Sequence, residues 1–173
     1  MKDNIKRIAA AGALTAVALI FSYVETLISS FIPVPGVRLG IANIVVVLAL
    51  FMMGPWEALA IGLLRIVIAS VLFGNPVSFA MSLSGFALSF PVMLILKKTG
   101  KFTIPGISLG GGAAHNFGQL ICAMVMLGNA GLLRFSVLFG LFGIITGMIV
   151  GFICKMIYER VKDYDWLSKG RTD

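Results

Sequence analysis

Ser108–Leu120 reads SLGGGAAHNFGQL, and its reading decides the kind of fold this chain has. The stretch lies in a span otherwise apolar enough to sit in a membrane. It nevertheless holds the only histidine, His115, with Asn116 beside it and Gln119 four residues on. On a helix, residues spaced i, i+4 share one face. Polar side chains at membrane depth are costly unless a partner, water or a ligand meets them. The run Gly110–Gly111–Gly112 removes side chains just before them and lets another backbone approach. The stretch therefore predicts a membrane helix with a polar inner face, packed closely on its neighbours.

Composition extends this outward. The 173 residues are 59% hydrophobic and 12% charged, against about 25% charged in soluble domains. Mean hydropathy is +1.03. An integral membrane protein is expected, as a single transmembrane domain over residues 1–173. A net charge of +7 suits nucleic acid in a soluble chain. Here the basic residues lie between and after apolar spans, where they act as topology signals. The first apolar run continues past the length of a signal-peptide core, so it reads as a retained span. Cys122 and Cys154 show no metal spacing and no C-x-x-C pattern. The topology below separates them in depth by roughly 18 Å, too far for a disulfide, whose Cα atoms lie within about 7 Å.

Proline and glycine punctuation divides the chain into six spans, at about 8–32, 39–53, 55–73, 77–96, 107–127 and 133–157. The breaks are Pro33-Val-Pro35-Gly36, Gly54-Pro55, Gly74-Asn75-Pro76, Pro105-Gly106 and Gly128-Asn129-Ala130-Gly131. Proline ends helices and glycine turns the chain. Pro91 predicts a kink in span four. Gly143, Gly147 and Gly151 form a GxxxG stripe in span six that predicts a close helix contact. With both termini inside, the inner segments hold Lys2, Lys6 and Arg7, then Lys97, Lys98 and Lys101, then the basic residues from Lys155 to Arg171. The outer segments hold only Arg38 and Arg134. This bias predicts an N-in, C-in protein of the cell membrane. The fold class is an all-α bundle of six transmembrane helices.

Helix rise then sets depth. Glu25 falls near the outer end of span one. Arg38 and Asn43 fall at the outer start of span two. Arg65 falls about 15 Å into span three. His115, Asn116 and Gln119 run from mid-membrane into the outer half of span five. Polar residues from four helices thus converge on the outer half, the pattern of an outward-facing pocket rather than a continuous pore. The segment Ser29–Arg38 suits a lid. These seven residues are the candidate ligand contacts, and Arg65 suits an anionic or strongly polar ligand group. Each has a structural alternative. Arg65 also fits a bridge to Glu57 or Glu25, and Glu57 fits a charge complementing its helix dipole. Asn43 and Gln119 fit hydrogen bonds between helices.

Several chemistries lack their residues. No G-x-x-x-x-G-K-[ST] phosphate loop is present, so ATP hydrolysis by that route is not expected. Prenyl diphosphate synthesis needs clustered aspartates to hold Mg²⁺. The closest pair is Asp163-x-Asp165, in the tail. No metal site, no cofactor and no stand-alone enzyme are expected.

Three stretches carry a family resemblance: IAAAGALTAVALIFSYVE (Ile8–Glu25), PGVRLGIANIVVVLALFMMGP (Pro35–Pro55) and GGGAAHNFGQL (Gly110–Leu120). With them the chain resembles the Gx transporter family, also described as heptaprenyl diphosphate synthase component I. That family is similar to the substrate-binding S components of energy-coupling factor (ECF) transporters. The resemblance implies a six-helix bundle that binds a small molecule near the outer face under a first-loop lid. It also implies a small-residue face on helix one that docks on a transmembrane coupling subunit driven by cytoplasmic ATPases. Ala9 and Ala13 match that docking pattern, and Gly12 and Ala16 extend it. The reading is a substrate-binding membrane subunit for uptake of a small organic molecule. Two alternatives stand beside it: a non-catalytic membrane component of a heptaprenyl diphosphate synthase system, and a quinone- or flavin-linked electron-transfer subunit.

Overall fold

The structure, a computed structural model, describes residues 2–29 and 40–162. Six helices follow one another: α1 (Lys2–Ser29), α2 (Asn43–Met52), α3 (Pro55–Phe73), α4 (Pro76–Lys98), α5 (Ile104–Leu127) and α6 (Ser136–Val161). A 3₁₀ turn (Ala130–Phe135) leads into α6. No strand occurs among the described residues. The all-helical class agrees with the sequence; of the six helices expected to span the membrane, four segments among the described residues are long and apolar enough to do so.

The breaks have local causes. Gly54, at φ 123°, precedes Pro55 in the first turn of α3. Only glycine takes that backbone cheaply, and proline suits a first turn because its missing N–H has no helical partner there. Asn75 caps α4 by accepting from the Ser78 amide at 2.8 Å, with Pro76 following. Gly128, at φ 59°, closes α5. Some boundaries move. Pro105 and Gly106 lie within the first turn of α5 rather than in a break, again because a first-turn proline loses nothing. α2 starts at Asn43 rather than 39, since Gly40 is at φ 71° and the chain turns through residues 40–42. α4 runs through Pro91 as one continuous helix.

Membrane character is plain from length and surface. Four segments are long and apolar enough to cross a bilayer: Ile5–Ile28, Pro55–Phe73, Pro76–Lys98 and Ala130–Val161. α2 has ten residues, about 15 Å, half the roughly 30 Å of a hydrocarbon core. α5 has the length, but its Gly, Ser, His, Asn and Gln content dilutes its hydropathy. Large apolar side chains line the outside, among them Val71 at 80% exposed and Val125 at 77%. Such a surface suits lipid, not water.

α2 is the central post. Ile44 through Leu50 are buried without interruption, as expected for a helix enclosed on all sides. One end of the bundle is fixed by basic side chains around its C-terminus. Lys97 Nζ donates to Leu50 O at 2.6 Å. Arg7 donates to Met53 O at 3.2 Å and pairs with Glu57. Cations there also complement the helix dipole. Glu57 therefore takes Arg7, not Arg65, as its ion-pair partner.

α5 and α6 meet backbone to backbone. A Cβ on Gly143 would lie 2.5 Å from Gly112 O, and one on Gly147 would lie 2.6 Å from Ser108 O. A Cβ on Gly118 would lie 2.5 Å from Ser84 O on α4. These are the close contacts that the glycine run and the GxxxG stripe predicted. They hold α5 between α4 and α6, with its polar face turned inward.

Candidate functional site

The polar face of α5 is buried at His115, Asn116 and Gln119. The amide nitrogen of Gln119 lies 3.1 Å from His115 Nε2, so the i, i+4 pair forms within one helix. With that N–H donating, Nε2 accepts and the ring proton falls on Nδ1. Gln119 Oε1 is buried without a hydrogen-bond partner among the described residues. The His115 ring lies flat against Gly85 of α4, where a Cβ would stand 2.6–2.9 Å from three ring atoms. Asn116 Nδ2 donates to Phe139 O at 3.0 Å, tying α5 to the first turn of α6.

A cavity of about 350 Å³, counting its open mouth, lies among α2, α4, α5 and α6. Its polar lining includes Asn43, His115, Asn116, Ser89, Ser108 and Thr146. Gly111, Gly112 and Gly147 also line it, although a Cβ on each would meet neighbouring atoms of α4, α5 or α6 within 3 Å. As it stands, the cavity is a narrow slot for water-sized occupants.

Arg65 lies elsewhere. It lines a second cavity of about 260 Å³, counting its open mouth, among α1, α3 and α4, which is narrower than the first and must likewise widen to admit anything larger than water. Its Nη1 donates to Ser22 Oγ at 3.3 Å, and its Nη2 reaches Asn43 Oδ1 at 3.5 Å. Asn43 thus lines the first cavity and contacts the arginine that lines the second. Glu25, buried on α1, accepts from the Gly40 amide at 2.5 Å. This bond pins the chain just before α2. Arg38 and the lid segment beyond Ser29 lie outside the described residues.

Of the seven candidate residues, Asn43, His115 and Asn116 share the first cavity. Gln119 stands behind His115, Arg65 fronts the second cavity, and Glu25 anchors the turn before α2. Sequence reasoning passed over the hydroxyls. Ser78, Ser82 and Ser89 recur with Gly85 at i, i+4, i+7 and i+11 on α4. That spacing marks one helix face, and both cavities draw on it.

Ala9, Gly12, Ala13 and Ala16 of α1 are all exposed. A Cβ on Gly12 would meet nothing within 4 Å. α1 packs instead through its opposite face, where Thr15, Ala18, Ser22 and Glu25 are buried. Cys122 and Cys154 are both free thiols.

The family model for heptaprenyl diphosphate synthase component I matches residues 14–157. No curated protein and no solved structure matches the chain. A match over most of the sequence places the chain in that family.

Proposed function

From membership of the heptaprenyl diphosphate synthase component I family, we propose that this chain is a non-catalytic membrane subunit that binds a small organic molecule for uptake. In this reading it is an S-component-like bundle of six membrane helices, with both termini in the cytoplasm. One observation carries the proposal. Asn43, His115 and Asn116 come from two helices to line one cavity inside a largely apolar molecule. Intramembrane polar groups that face a cavity are the mark of a ligand path. The slot must widen to admit an organic molecule, so binding is coupled to movement of its walls. His115 and Asn116 supply hydrogen bonds to a polar ligand group, and Gln119 holds the imidazole.

The exposed small-residue face of α1 supports docking on a transmembrane coupling subunit, with the ATPase activity on further partners. Ala9→Trp and Ala13→Trp each place a large side chain on that face. Both variants should fold but lose co-purification with such a subunit. Retained co-purification would reject the docking face.

The family description favours a second reading, in which the chain is the membrane component of a prenyl diphosphate synthase and assists a soluble catalytic subunit. Adding the purified chain to that subunit with isopentenyl and allylic diphosphates separates the two. Stimulated chain elongation selects the synthase reading. Unchanged elongation, with a small molecule bound in the slot, selects the uptake reading.

A further inference from the structure

The second cavity runs from mid-bundle to one end. Arg65 lies ten residues into α3, about 15 Å from its start. The rest of the lining climbs from there past Ser70 to Gly74, just beyond α3, and to Ser78 in the first turn of α4. It is a shaft with a cation at its floor and hydroxyls on its walls, from Ser22, Thr26, Ser70, Ser78 and Ser82. No acidic side chain is among the described residues lining it. Arg65 is 4% exposed, so its charge acts where solvent screening is weak. The first turn of α4 contributes Ser78 to the lining, and the dipole of that helix end adds positive potential there.

We infer that this shaft is an oxyanion-binding site, in which the Arg65 guanidinium receives a carboxylate or phosphate group at the floor. A planar guanidinium offers two parallel N–H donors, which match such groups better than any other side chain does. The hydroxyls of Ser22 and Thr26 donate to the carbonyls four residues back. They can rotate towards an entering anion without leaving a buried backbone group exposed, since those carbonyls keep their helical donors. The site is separate from the His115 slot and does not rest on the uptake reading. Asn43 contacts Arg65 and also lines the slot.

An oxyanion reaches the shaft from a soluble acid or from an anionic lipid headgroup, and one experiment separates them. The full chain is placed in phosphatidylcholine nanodiscs. Its thermal midpoint is followed against inorganic phosphate and against chloride at matched ionic strength. A second set of nanodiscs contains phosphatidylglycerol. A saturable rise with phosphate beyond chloride identifies a soluble anion. A rise confined to phosphatidylglycerol identifies a headgroup, and both results support the site. The apparent affinity should fall roughly tenfold to hundredfold in Arg65→Gln, the scale of lost charge-assisted hydrogen bonds. Ser70→Leu fills the shaft without changing charge and should weaken binding comparably. It decides the matter if Arg65→Gln does not fold. No saturable rise with either anion, or a rise unchanged in Ser70→Leu, would overturn the assignment.

Discussion

His115 illustrates how one residue's position is set by what is missing around it. Its ring occupies space that a Cβ at Gly85 would fill, and Gln119 fixes its edge. Gly85→Ala should displace the ring and lower stability by about 1–3 kcal/mol, the usual cost of overpacking. Thermal unfolding in detergent measures this. Asn116→Ala removes one hydrogen bond to a backbone carbonyl and should cost only about 0.5–1.5 kcal/mol. A ligand role for Asn116 would then show as a loss of binding larger than its loss of stability. The His115–Gln119 pair was legible because i, i+4 spacing fixes neighbours within one helix. The separation of Arg65 from His115 was not. Depth along a helix follows from rise alone, but azimuth depends on which neighbours pack against each face. Equal depth therefore placed the two residues together in sequence, while the packing of α2 puts them in different cavities.

At the scale of elements, the α5–α6 contact rests on glycines that oppose backbone. Gly147→Leu would push a side chain into Ser108 O and Leu109 Cα. It should cost about 3 kcal/mol or more, since backbone cannot step aside as a flexible side chain can. Gly12→Ala gives the contrast. Its added methyl meets nothing within 4 Å, so it should stabilise α1 by about 0.5–1 kcal/mol through lost backbone freedom. Paired melting curves for the two variants test whether the glycines of α5 and α6, but not that of α1, hold the monomer together. The GxxxG stripe and the proline-marked helix starts were readable because their causes are local. The short length of α2 was not. A run of apolar residues from 39 to 53 looks continuous, and only the positive φ at Gly40 and the turn after it trim the helix to ten residues.

At the scale of the molecule, an apolar exterior, a basic end and polar-lined cavities within an apolar core describe a membrane bundle with two directions of asymmetry. Arg7 and Lys97 gather at the C-terminus of α2. In the proposed topology that end faces the cytoplasm, as the positive-inside rule expects. Reporter fusions at the N- and C-termini should both report a cytoplasmic location. One terminus outside would reverse or break the proposed topology. The small-residue face of α1 points away from the rest of the chain, which suits a subunit that completes itself on a partner.

The central claim is that the slot beside His115 holds a ligand. Native mass spectrometry of the protein, purified gently from its membrane, tests it most directly. The account predicts a small organic molecule that co-purifies with the wild-type chain and is lost from the folded His115→Ala/Asn116→Ala double variant. A molecule retained equally by that variant, or none bound to the wild-type chain after incubation with a membrane-free cell extract, would contradict it.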